Sequence, residues 1–130
     1  MNAGLPPSLA DIDALARREL ASLPQRLLRE LGPLVIRVEE FPDAATMAAM
    51  NLASPDGLLG LYRGVALAHK SVSFAVPEVD MVFLYRGAIL LYCRATGAAL
   101  AAVVRHVLIH EIGHHIGFSD EDMARIEKEG

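Results

Sequence analysis

The sequence has one cysteine, Cys93, and no tryptophan. A single thiol rules out an intrachain disulfide and fits a reducing compartment, so a cytoplasmic protein is expected. Aromatic residues make up only 5% of the chain, which leaves Leu, Val, Ile and Ala to fill the core. Positive charge is also scarce: 12 Lys and Arg against 16 Asp and Glu give a net charge of -4, with no basic cluster. That balance argues against a nucleic-acid partner held by phosphate neutralisation. There is no uninterrupted apolar run of bilayer length, because the stretch from Gly97 to Ile109 is broken by Arg105 and His106. Met1 to Leu20 lacks the basic start and apolar run of a secretion signal and carries Asp11, Asp13 and Glu19 instead. A soluble protein with no membrane partner is expected.

What remains is a chain of 130 residues, 53% hydrophobic and 22% charged, which suits one globular domain over 1–130 with a loose start at 1–7. Ser8 and Asp11 have the spacing of a capping box, and Leu9, Ile12, Leu15, Ala16, Leu20 and Leu23 follow at helical spacing. Pro24 breaks that helix and starts a short continuation to Leu31, which Gly32-Pro33 stops. Leu34 to Glu39 is β-branched and begins to alternate, predicting a strand that ends at Phe41-Pro42. Ala44 to Leu52 favours a short helix, Ser54-Pro55-Asp56-Gly57 a turn, and Leu59 to Val65 a second strand around Tyr62. Ala66 to Pro77 has no clear period and suits a loop. Val79 to Tyr85, the turn Arg86-Gly87 and Ala88 to Cys93 predict a hairpin or two neighbouring strands. A helix of about twenty residues from Thr96 or Gly97 to Gly117 is expected to cross the core. Ser119 and Asp122 then repeat the capping-box spacing for a last short helix to Glu129. The fold class is α+β.

The chemistry concentrates in His110-Glu111-Ile112-Gly113-His114-His115-Ile116-Gly117-Phe118-Ser119-Asp120. It contains H-E-x-x-H, a pattern that on a helix directs His110 and His114 to one point where a metal can sit. Glu111 is rotated by about 100° from His110. Its carboxylate can reach water on the metal without binding the metal, which makes it the candidate general base. A catalytic zinc takes three protein ligands and keeps one position open. Gly117 allows the backbone to leave the helix with positive φ and bring Asp120 beneath the two histidines, completing a His110, His114, Asp120 set. Asp120 has a second reading, as one of three acids with Glu121 and Asp122 that suit the first turn of the last helix. Zinc is the metal these ligand types favour, although they also accept Mn, Fe, Co or Ni.

The other chemistry-bearing residues have quieter readings. His106 lies one turn before His110 on the same face, and His115 points away from His114; packing or surface roles weigh against contact with the site. His69 has no assignable place. Cys93 reads as a small buried residue, and Tyr62, Tyr85 and Tyr92 as packed rings with hydroxyls at the rim, one of which could stabilise an oxyanion. Met123 fits the apolar face of the last helix.

The motif H-E-x-G-H-H-x-G from His110 to Gly117, followed by Ser119-Asp120-Glu121-Asp122, resembles a family of short bacterial zincin-like metallopeptidases. Weaker likeness extends to Val35–Pro42, Gly60–Val65 and Phe83–Gly87. The spacing is also similar to the metzincin consensus with Asp120 in place of the third histidine, as in snapalysins. The resemblance implies a compact zincin fold, with a small mixed sheet packed against an N-terminal helix and a long active-site helix. It implies a zinc peptidase acting on a peptide or protein, the substrate pairing with an edge strand within Val79 to Cys93. Metzincins continue past the third ligand into a methionine-turn subdomain. Ten residues follow Asp120 here, so the pocket wall is expected to be missing or built from elsewhere in the chain, which weighs against efficient proteolysis. Two other functions compete: a metal hydrolase of a non-peptide substrate, and a metal-stabilised peptide-binding module. Glu111 argues against comparison with rRNA-maturation endonucleases, whose three-ligand helix lacks that glutamate. Oligomeric state is left open.

Overall fold

A computed structural model describes residues 5–66 and 78–129. The loop expected at 66–77 and His69 with it lie outside these residues, except for Ala66. The described chain is a compact α+β fold of six helices and one three-stranded mixed sheet: α1 (Leu9–Ala21), α2 (Gln25–Leu28), β1 (Leu34–Glu39), α3 (Ala44–Ala49), β2 (Gly60–Ala66), β3 (Glu78–Tyr85), α4 (Arg86–Thr96), α5 (Leu100–His115) and α6 (Asp120–Glu129). This agrees with a zincin-like architecture. None of the described helices is long and apolar enough to cross a membrane.

The capping box at Ser8 forms: Ser8 Oγ accepts the Asp11 N–H at 3.0 Å, and Asp11 Oδ2 accepts the Ser8 N–H at 2.9 Å. Two donors that no helical carbonyl can reach are satisfied there. Asp43 caps α3, accepting the Thr46 N–H at 2.7 Å. The turn at Ser54 closes through the Gly57 N–H to the Ser54 carbonyl at 3.2 Å.

Strand order is β1-β3-β2, with β3 parallel to β1 and antiparallel to β2. Alternation along each strand turns Ile36, Val82 and Leu84 to the helix-bearing face, all buried. There α1 packs on β1 and α5, while α5 packs on β2 and β3. The core joins Ile12, Leu15 and Ala16 of α1 to Val103, Val104, Val107, Leu108, Ile109 and Ile112 of α5. Full burial of each large aliphatic side chain stabilises by about 1.5–3 kcal/mol, so α5 is held by packing rather than by its uncapped start at Ala99.

Three expectations are corrected. Residues 86–96 form helix α4 rather than a turn and a strand. The apolar run Ala88 to Cys93 does not distinguish the two periods, but Ala88 and Ile89 are buried while Leu91 and Tyr92 are exposed, a one-sided helical pattern. The chain passes directly from β3 into α4 because tertiary contacts stand where turn residues would be. Gly87 N–H donates to the Glu40 carbonyl at 2.8 Å, and Arg86 spans the Glu40 carboxylate and the Pro7 carbonyl. Second, the long helix begins at Leu100, because Gly97, at φ +76°, is the left-handed cap of α4. Third, the expected substrate edge within Val79 to Cys93 is not an edge. Both sides of β3 are paired, and among the described residues the open edges belong to β1 and β2.

Candidate metal centre

Helix α5 ends in a Schellman motif. Phe118 N–H donates to the Gly113 carbonyl at 2.8 Å and Gly117 N–H to the His114 carbonyl at 3.2 Å, with Gly117 at φ +88°. A side chain at Gly117 would be strained in this region, as the sequence anticipates. Ser119 then caps α6 in a reciprocal box, its Oγ accepting from Asp122 N–H and Asp122 Oδ2 accepting from Ser119 N–H, both at 3.1 Å. These two motifs reverse the chain within a few residues and make α5 and α6 a helical hairpin.

That reversal brings His110, His114 and Asp120 together, with one ligand atom from each inside a sphere of mutual distance 4.8 Å. The imidazole rings of His110 and His114 stand edge to face with centroids 5.9 Å apart, and His114 Nε2 lies 3.4 Å from Asp120 Oδ1. Two imidazoles and a carboxylate suit zinc by donor chemistry, and Asp120, its side chain 89% exposed, leaves room for a further ligand from solvent.

Glu111 points the other way, towards the sheet. Its Oε1 accepts the Tyr62 N–H at 3.0 Å. The Leu59 carbonyl faces β3, where it accepts the Tyr85 N–H. Alternation therefore directs the amide groups of Gly60, Tyr62 and Gly64 to the open edge of β2. Glu111 thus sits on that edge. Burial raises its pKa, outweighing the lowering by the Tyr62 N–H and by His114 and His110. Gly60 makes this approach possible, since a Cβ there would lie 2.5 Å from Val107 Cγ1 and 2.8 Å from the Phe83 carbonyl.

Other residues fall where packing requires. His115 stacks on Tyr62 with centroids 3.9 Å apart, a packing role. The Tyr62 hydroxyl is buried rather than at a rim, and burial, followed by the neighbouring Asp80 carboxylate, raises its pKa. Tyr85 is also buried, and Cys93 is half-buried on α4, its thiol pKa raised by burial. Met123 is fully buried on α6, as expected. A cleft of about 300 Å³ between Arg37, Arg63 and Tyr85 on the outer face of the sheet shares no residue with the motif, so ligand chemistry rather than concavity locates the site.

One participant was missed in the sequence: Glu127. Its Oε1 lies 2.9 Å from His110 Nε2, and its carboxylate reaches His106 Nδ1 at 2.9 Å. Burial tends to raise its pKa, but the hydrogen bonds and charges of His106 and His110 prevail and hold it below the ordinary glutamate range. Spacing places Glu127 seven residues after Asp120, two turns along the same face of the last helix, but not against His110, which the packing of the two helices decides.

Comparisons with known proteins bear on the fold and the family. No protein of curated function matches the chain. A solved structure, a conserved hypothetical protein from Thermus thermophilus, is similar at 20% identity with a TM-score of 0.51, covering 84% of this chain and 94% of that one. At that identity the likeness concerns the fold. The family model described as zincin-like metallopeptidase matches residues 31–129, from just before β1 to the end of α6, a family that implies a bound metal, typically zinc. The chain therefore belongs to the zincin-like metallopeptidase family.

Proposed function

We propose that this protein is a zinc-dependent peptidase that cleaves an extended segment of a peptide or protein, with His110, His114 and Asp120 as metal ligands and Glu111 as general base. The observation that carries this reading is Glu111 on the open edge of β2, one residue from His110 and hydrogen-bonded to the Tyr62 amide. When bound, zinc supplies a Lewis acid that polarises the scissile carbonyl and brings the pKa of water towards neutrality. Tyr62 N–H fixes one carboxylate oxygen of Glu111, and the second is left to take a proton from water and return it to the leaving amine. The raised pKa of Glu111 brings it closer to the working pH, which suits a group that must both accept and release a proton. Gly60 and Gly64 offer edge groups for an extended backbone, so the substrate adds to the sheet at β2.

Glu111→Gln keeps size and the Tyr62 hydrogen bond but removes the base. The variant is expected to bind zinc as the parent does and to lose about 10²–10⁴-fold in turnover of a peptide panel. Unchanged turnover would sink the mechanism. Chelator-sensitive cleavage by the parent separates a peptidase from a metal-stabilised peptide-binding module, since the latter cleaves nothing under either condition.

A further inference from the structure

Helix α5 carries histidines on one face at 106, 110 and 114, and α6 runs back along that face. Asp120 at the start of α6 meets His114, while Glu127 near its end meets His110 and His106. Gly113 and Met123 set this pairing: a Cβ at Gly113 would lie 2.4 Å from Met123 Sδ, so the two helices pack as closely as the missing side chain allows. The result is a second trio, His106, His110 and Glu127, whose ligand atoms again lie within 4.8 Å of one another. His106 Nδ1 and His110 Nε2 each stand about one ligand–ligand spacing from the intervening carboxylate, and the two rings are 4.0 Å apart. A cleft of about 190 Å³ between Tyr92, Ala98, Ala102 and Val103 is also lined by His106 and Glu127, and His110 beside them is partly exposed, so solvent reaches the trio.

We infer that His106, His110 and Glu127 form a second binding position for a divalent transition metal, alternative to the His110, His114, Asp120 position. Two imidazoles and one carboxylate with an open fourth position are a complete zinc set. The positions exclude each other at His110, because a neutral imidazole has one nitrogen lone pair to give. Metal in the second position removes His110 from the first and lies on the α6 side of α5, while Glu111 is held at the sheet by Tyr62. The hairpin thus has a productive and an unproductive seat for one ion.

The test uses Co²⁺ titration of the full chain, read by visible absorption and by competition with a chromophoric chelator. The variant His114→Ala/Asp120→Ala dismantles the first position at two exposed side chains, so the fold is retained, and far-UV circular dichroism checks it. This variant is expected to keep one equivalent of Co²⁺ with a changed absorption band. Adding His106→Ala and Glu127→Gln should then weaken binding more than about 100-fold, beyond what loss of supporting contacts alone produces. The inference is overturned if His114→Ala/Asp120→Ala binds Co²⁺ no better than His110→Ala, or if its binding survives the added substitutions. Should the double variant lose helicity, Asp120→Asn alone carries the same comparison. The converse variant, His106→Ala/Glu127→Gln, reports on the first position: Co²⁺ binding lost there, with binding retained in His114→Ala/Asp120→Ala, counts against the peptidase reading and leaves the second position standing.

Discussion

The two ends of the α5–α6 hairpin are built by different means. At the turn, His114 and Asp120 are 58% and 89% exposed and 3.4 Å apart, and what brings them together is local: a Schellman cap and a capping box. At the far end, His110 and Glu127 are 27% and 31% exposed and 2.9 Å apart, and what holds them is the burial of Met123 and Ile126. The turn end is open and fixed by backbone chemistry, and the far end is closer and fixed by packing. A substitution that spares the local motifs but separates the helices should therefore damage the second trio and leave the first nearly intact.

Met123 is the place to break the comparison. Met123→Ala is expected to cost about 2–5 kcal/mol, as buried Met truncations do, measured by urea unfolding. Gly113→Ala should cost about 1–3 kcal/mol by overpacking, since its methyl would meet Met123 Cγ at 2.8 Å. Combined, the two should cost less than their sum, because the cavity left by Met123 accepts the new methyl. Strict additivity would show that the helices are not held at this distance by that contact.

Zinc itself gives the next largest effect. At a free concentration about 100 times its Kd, binding should stabilise the protein by roughly 2.7 kcal/mol, seen as a rise in thermal midpoint that His110→Ala abolishes. His110 is the one residue common to both ends, so a substantial zinc shift surviving in that variant would mean that neither trio is the binding site.

The same contrast explains what was legible in the sequence. His110, Glu111, His114, Gly117 and Asp120 lie within eleven residues, and their geometry follows from helical period and one left-handed glycine, so spacing alone brought them together. Glu127 needed the angle and distance between two helices, which depend on Gly113 and Met123 meeting. The strand β1 was readable from its β-branched residues and incipient alternation, and β2 as a short strand around Tyr62. The helix α4 was not, since Ala88 to Cys93 is apolar under either period and its start is fixed by Glu40 and Phe41 from another part of the chain. The substrate edge was misplaced for the same reason: strand order is a tertiary fact, and the sequence does not say that β3 inserts between β1 and β2.

Ser119→Ala acts on the turn end alone. Removing its Oγ leaves the Asp122 N–H without its capping partner and should cost about 1 kcal/mol of stability. Because α6 frays from its start, Asp120 should loosen before Glu127 does. Co²⁺ affinity should therefore fall more in His106→Ala/Glu127→Gln, which depends on Asp120, than in His114→Ala/Asp120→Ala. Equal losses would show that the two ends are not mechanically separate.

The smallest effect supplies the reference for that result. The Ser8–Asp11 box at α1 has the same chemistry as the box at α6 but carries no ligand, so it reports what capping alone contributes. Asp11 is held below its ordinary value chiefly by the Ser8 N–H. A carboxyl with a depressed folded pKa adds stability that is present above its unfolded value of about 3.9 and is lost as pH falls through the folded value. Asp11→Asn keeps an acceptor for the Ser8 N–H but not the charge. The stability difference between parent and variant should therefore be constant near neutrality and shrink as pH drops below about 4. A difference that persists unchanged into strong acid would assign the box to geometry alone, and the α6 box would then position Asp120 by its hydrogen bonds without help from the negative charge of Asp122.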